Sequence, residues 1–183
     1  MSADKGYAAW AARWRVPLGF ILGVAYLVFS QPSPRLLLAG SVVGLLGLLL
    51  RALAAGCLNK NQDLATGGPY AHTRNPLYLG SFIIGSGFAI AGGSWILGLA
   101  MVSLFVLVYW PVMRREAAFL AQQFGPPYSE YARAVPFFLP RLRPADTGGK
   151  RFRWATYRQN REYQAALGFV AGAVFLYVKM TLR

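Results

Sequence analysis

The sequence predicts an all-α fold: a polytopic transmembrane helix bundle of about five spans. Three observations predict it. Of 183 residues, 56% are hydrophobic and only 14% are charged, whereas about a quarter of a soluble domain is charged. Apolar stretches stand at about 16–30, 36–56, 77–92, 94–112 and 164–180, close to the roughly 20 residues that carry a helix across a bilayer. The cations collect between these stretches, as they do in membrane proteins. A soluble chain would have to bury several long, uncharged, glycine-rich helices in one small core. The length suits a single integral membrane domain, residues 1–183.

The first stretch follows Lys5, Arg13 and Arg15. Its end, "FSQPSP", has no small-x-small cleavage pattern, so it reads as a retained helix. "SQPSP" turns the chain into the second stretch, because proline ends a helix and restricts the residue before it. The third stretch is short and rich in glycine. "AGGS", Ala91 to Ser94, makes a tight turn into the fourth. Gly19 and Gly23, Gly40 and Gly44, and Gly168 and Gly172 are spaced for close helix approach. Packing within one bundle explains them more simply than dimerisation. Gly85-Ser86-Gly87 is a lone GxG without the strand that a nucleotide-binding turn requires.

The net charge is +13. Arg51, Lys60 and Arg74 lie between the second and third stretches. Ten more cations, from Arg114 to Arg161, lie between the fourth and fifth. The opposite loops hold only Arg35. This bias places the N-terminus and both large loops in the cytoplasm. Lys179 and Arg183 are the exception, and they leave an interfacial fifth helix as an alternative. Charge arranged this way points to topology and lipid headgroups, and to no nucleic acid. Cys57 is the single cysteine, which excludes an internal disulfide and a cysteine metal cluster.

"GGPYAHTRNPLYLGSF", Gly67 to Phe82, begins as a polar turn and ends as an apolar helix. It sets His72, Arg74 and Asn75 at the mouth of a span and breaks the boundary with Pro76. Charge at that depth is costly unless it is partnered, so ionisable groups there are functional candidates. A second polar cluster runs from Arg114 to Pro144. The hairpin of the third and fourth stretches returns the chain to the same side, so the two clusters are expected to meet. Glu116 is the acid nearest the membrane, with Arg74 and Arg114 as expected partners. His72 alone cannot build a metal site without carboxylates. No metal is expected.

"LATGGPYAHTRNPLYLG" resembles the signature of the isoprenylcysteine carboxyl methyltransferase family, integral membrane methyltransferases related to phospholipid N-methyltransferases. The second cluster follows that family's order: Glu116 to Leu120, Phe124-Gly125 with Tyr128 and Tyr131, then Val135-Pro136-Phe137-Phe138-Leu139-Pro140. The resemblance covers about 59–141, the expected cofactor-binding core. Three positions depart from it. Asn75 replaces a histidine, Ala117 a second glutamate, and Phe137 an arginine. Asparagine keeps hydrogen bonding but cannot titrate, so no histidine base stands there, and His72 does not inherit the role.

The resemblance implies S-adenosylmethionine bound beside the membrane without a Rossmann fold, by cytoplasmic loops forming a cofactor pocket. It implies that Glu116 pairs with the cofactor ammonium and Arg74 with its carboxylate; these two are the expected catalytic residues. Gly68, Tyr70, Asn75, Pro76 and Tyr78 are expected in the cofactor wall. Arg114, Arg161 and Glu162 are expected toward the substrate, a lipophilic acceptor entering from the lipid bilayer between helices. No evident base is present, which favours an acceptor that is already anionic. Two readings compete: an NADPH-dependent membrane reductase of the sterol type, and a non-catalytic lipid-binding protein, which Asn75 and Ala117 would suit.

Overall fold

The computed structural model describes residues 2–59 and 63–182. Lys60 and Arg183, counted above among the cations, lie outside these residues, as does the side chain of Lys5. Among the described residues the chain is helical and has no strand. Four helices are long and apolar enough to cross a membrane: Gly6–Phe29, Pro34–Cys57, Trp95–Phe124 and Tyr163–Thr181. The third expected span, Pro76–Ala91, is a shorter apolar helix of 16 residues. At 1.5 Å per residue it is about 24 Å long, less than the ~30 Å hydrocarbon core.

Helix α1 is Ser2–Phe29 and α2 is Pro34–Cys57. The helix begins well before residue 16, so Arg13 and Arg15, which precede the apolar stretch, sit on α1 itself. Pro34 occupies the first turn of α2, where its missing N–H costs nothing. Helix α3, Pro76–Ala91, packs on α2 through glycine. A Cβ on Gly40 would lie 2.3 Å from the Gly87 carbonyl oxygen, and one on Gly47 would lie 2.7 Å from that of Gly80. Gly44 takes the ring of Phe169, and Gly172 that of Phe88. The Gly40, Gly44 and Gly172 positions therefore serve packing within the bundle, as expected. Gly23 and Gly168 have no neighbour within 4 Å of such a Cβ.

Gly93 adopts φ +63° in the turn after α3. Beyond it runs one rod, Trp95–Phe124. It comprises α4, Trp95–Leu104, a π turn at Phe105–Tyr109, and α5, Trp110–Phe124. The fourth apolar stretch thus continues as helix well past residue 112, and Glu116 projects from a helix instead of a loop. The π turn is met by α1, whose Tyr7 hydroxyl donates to the Leu107 carbonyl across 2.7 Å. Such turns often mark functional sites in helices.

Gly125, at φ +56°, breaks the rod and starts α6, Pro126–Ala134. After an irregular segment, α7 is Trp154–Gln159 and α8 is Tyr163–Thr181. Asn160, between them, donates to the carbonyls of Ala55 and Leu58 at 2.9 and 2.8 Å. It satisfies backbone left open at the end of α2. At the far end of α8, Lys179 donates to the carbonyls of Leu27 and Val28 at the end of α1. The fifth apolar segment therefore runs the full height of the bundle. The late cation that seemed misplaced by topology caps a helix there.

Candidate functional site

The two polar clusters meet, and consecutive residues hold them together. The Thr73 hydroxyl donates to the Phe138 carbonyl at 2.9 Å. The Arg74 backbone N–H donates to Pro136 at 3.0 Å. Asn75 Nδ2 donates to Phe137 at 2.8 Å. On the same side, the Tyr131 hydroxyl donates to the Tyr70 carbonyl, and Ala145 N–H to that of Ala71. His72 exchanges two bonds with Arg141, one through its backbone and one through ring Nδ1. Residues 70–75 are thereby wired to 131–145 by bonds that each contribute modestly but jointly leave little freedom.

Asn75 therefore does a structural task. Its amide donates where a histidine N–H could donate equally. Phe137, the second departure, receives the Arg74 guanidinium over its ring at 5.3 Å and meets Trp110 edge-on at 5.2 Å. Where the family pattern has a second cation, this chain has a cation–π contact. Ala117, the third departure, packs against the buried group of Tyr128, Tyr131 and Val135.

Beside this junction opens a cavity of about 720 Å³, within the usual range for small-molecule sites. Arg74, Asn75, Pro76, Tyr70, Tyr78 and Glu116 all line it. The remaining expected residues do not. Gly68 is exposed at the start of a 3-10 turn, Gly68–Ala71, with φ +59°, and a Cβ there would lie 2.8 Å from the sulfur of Cys57. It shapes the turn. Arg114 is exposed, and Arg161 is exposed in the turn before α8 with φ +52°. Glu162 is buried at 8% exposure and pairs with Arg51.

The cavity also has residues that motif reasoning did not select. Arg51 lines it from α2, its guanidinium shared among Glu162, the Leu77 carbonyl and Ser81. The signal was present: a lone cation at the end of an apolar span requires a partner. Arg15 of α1 and Tyr109 of the π turn also line it. Nothing in local sequence could have placed α1 there.

Glu116 has partners other than those expected. The Tyr78 hydroxyl donates to its Oε1 at 2.8 Å, and Arg15 Nη1 stands 3.8 Å away. Neither Arg74 nor Arg114 bonds to it. Arg74 instead reaches the Tyr128 hydroxyl from Nη1 at 3.4 Å. Its Nε is buried and has no hydrogen-bond partner among the described residues. A buried orphan donor is costly and is the kind of group that a ligand acceptor satisfies.

Burial pushes the phenols of Tyr70 and Tyr131 well above their ordinary value. Both stay protonated, and the Tyr131 hydroxyl donates to the Tyr70 backbone. At the rim, Asp63 is held below the usual carboxylate range, chiefly by the hydrogen bond from Lys150 and then by its charge. Among the described residues, no group of three or more His, Cys, Asp and Glu comes together as a metal centre.

The sequence matches the phospholipid methyltransferase family over residues 37–127. It is 36% identical over 138 residues to the cobalt-zinc-cadmium resistance protein CzcN of Cupriavidus metallidurans, covering 70% of this chain and 62% of the relative. It is 32% identical over 136 residues to the nickel-cobalt-cadmium resistance protein NccN of Alcaligenes xylosoxydans, covering 70% and 63%. It is 29% identical over 149 residues to the protein-S-isoprenylcysteine O-methyltransferase of Schizosaccharomyces pombe, covering 76% and 61%. The chain thus spans about three fifths of the length of each of these relatives. No solved structure matches. The resemblance read from the two motifs is confirmed, and the chain belongs to the isoprenylcysteine carboxyl methyltransferase-like family of integral membrane proteins.

Proposed function

We propose that the protein is an S-adenosylmethionine-dependent methyltransferase. Its acceptor is a lipophile bearing an anionic oxygen, such as a prenylcysteine-like carboxylate. The observation that carries this reading is the orphan Nε of Arg74, in the wall of a cavity that also holds Glu116. An amino-acid head group needs an anion site and a cation site close together. Arg74 offers its fork to a carboxylate. Glu116 offers an oxygen to an ammonium. Tyr70, Asn75, Pro76 and Tyr78 supply a mixed polar and aromatic wall suited to a nucleoside. These residues fit the cofactor that the family generally uses.

When bound, S-adenosylmethionine supplies a methyl already activated by its sulfonium: an O–C bond forms, the C–S bond breaks, its electron pair stays on sulfur, and no proton moves. The protein's work is then positioning and exclusion of water. Tyr78 fixes the rotamer of Glu116 through its hydroxyl. The Thr73–Asn75 and Pro136–Phe138 junction fixes the Arg74 backbone. The lining offers no titrating imidazole, which suits an acceptor that needs no base. Such an acceptor would reach the cavity from the bilayer. By the charge bias, the site and the N-terminus lie on the cytoplasmic side.

Calorimetry of purified protein in lipid nanodiscs tests the reading, with S-adenosylmethionine and NADPH as parallel titrants. Binding of the first alone supports it. Binding of NADPH alone replaces it with the reductase.

A further inference from the structure

We propose that Arg15 is the anchor for the acceptor's anionic group and sets selectivity for acids over their neutral esters. The proposal deepens the methyl-transfer reading and rests on it for the acceptor's class.

Arg15 comes from α1, which lies outside the residues matched to the family, 37–127. It nonetheless lines the cavity, at the mouth formed with α5. Among the described residues its guanidinium makes one hydrogen bond, from Nη1 to the Tyr78 hydroxyl at 3.3 Å. Its ion pair with Glu116 is long, 3.8 Å, and both side chains are about half exposed. Pairs of that kind contribute little. A guanidinium has five N–H donors, so most of this one's capacity is free to meet a ligand. Arg51, by contrast, is shared among three protein groups, and Arg74 is fixed over Phe137.

The surroundings of Arg15 fit an amphiphile. Val16 and Phe119 flank the mouth at 57% and 58% exposure, so an apolar body has surface to cover. Gly19 lies one helical turn beyond Arg15 on the same face. A side chain there would begin to fill the space beside the Tyr109 hydroxyl, 3.8 Å from its Cβ. Cation, apolar rim and open helix face thus follow one another along α1, from the polar end toward the middle of the span. An oxyanion joined to a long apolar tail matches that order. The oxyanion displaces a weak ion pair and gains a bidentate partner.

The test uses a farnesyl thioether carrying a terminal carboxylate, and its methyl ester. Both are titrated against the full-length protein in nanodiscs of neutral lipid, read by intrinsic fluorescence. The wild type is expected to bind the acid roughly tenfold more tightly than the ester. Arg15→Ala is expected to reduce that ratio to within about twofold, and Arg15→Lys to keep part of it. Affinity for S-adenosylmethionine, measured by calorimetry on the same samples, is expected not to weaken in Arg15→Ala. A wild type without preference for the acid overturns the proposal, as does an Arg15→Ala variant that keeps the preference. Weakened cofactor affinity in Arg15→Ala also overturns it, because Arg15 would then support the cofactor side. A wild type that ignores S-adenosylmethionine defeats the methyltransferase reading, while the acid-to-ester ratio still decides the role of Arg15.

Discussion

The Tyr78 hydroxyl donates to Glu116 Oε1 across 2.8 Å, tying α3 to α5 at the mouth of the cavity. This bond joins the two motifs at the carboxylate expected to meet a cation. Glu116→Gln removes the charge and keeps the shape. It is expected to weaken S-adenosylmethionine binding about tenfold or more, since a hydrogen bond to a charged group is worth roughly 1.5–3 kcal/mol. Tyr78→Phe is expected to weaken it less. Calorimetry on both variants measures this, and unchanged affinity in Glu116→Gln removes Glu116 from the site.

Arg74 is expected to resist conservative change. Its planar fork has an orphan Nε inside the wall and a stacking contact on Phe137. Lysine has neither the Nε–H at that place nor the planar fork that a bidentate grip requires. Arg74→Lys is expected to lose cofactor binding nearly as fully as Arg74→Ala, with both still folded by circular dichroism. Near-wild-type affinity in Arg74→Lys counts against a bidentate role.

Asn75 separates structure from chemistry. Asn75→Ala leaves the Phe137 carbonyl without its donor, an expected loss of about 1–3 kcal/mol. Asn75→His restores a donor and is expected to stay close to the wild type in thermal unfolding. Equal unfolding temperatures for all three proteins would mean that the bond does not hold the two motifs together.

Arg51 and Glu162 form a part-buried pair joining α2 to the start of α8 beside the cavity, with Glu162 the buried member. Arg51→Met leaves Glu162 buried without its ion-pair partner. Breaking such a pair from one side costs about 3–5 kcal/mol. The double variant Arg51→Met, Glu162→Leu is expected to recover much of that loss. Thermal unfolding in detergent distinguishes the two. A single variant as stable as the double would show that the pair carries no structural weight.

The pH profile discriminates between acceptors. Tyr70 and Tyr131 have phenols raised by burial, so they stay protonated through the neutral and mildly alkaline range. A carboxylate acceptor also stays in one state there. Methyl transfer is expected to be flat between about pH 7 and 9. A rate that climbs with pH across that window points to an amine acceptor losing a proton.

Much of this was legible in the chain. Apolar runs of bilayer length set helices where α1, α2, α4 and α8 stand. "SQPSP" and "AGGS" ended them by the fixed φ of proline and the positive φ of Gly93. The ordered motifs identified Arg74, Asn75, Tyr78 and Glu116 because their spacing is local to a turn or a helix. What local pattern missed was partnership. Arg74 and Glu116 look like natural partners on charge alone, yet each found other company, Tyr128 and Phe137 for one, Tyr78 and Arg15 for the other. Rotamer direction and helix placement decide which of several nearby opposite charges meet.

The sequence by itself determined that this chain is a membrane bundle, where its turns fall, and which two polar segments meet beside the cavity. Hydropathy, proline and glycine act over a few residues, so they can be read along the chain. Only the tertiary structure decided that α1 brings Arg15 to the cavity mouth, that Arg51 is locked to Glu162, and that Asn75 is spent on the Phe137 carbonyl. Those contacts join residues some 60 to 110 positions apart. They exist because the helices and the segments that join them pack side by side, α2 on α3 through glycine, and so bring distant side chains into one small space.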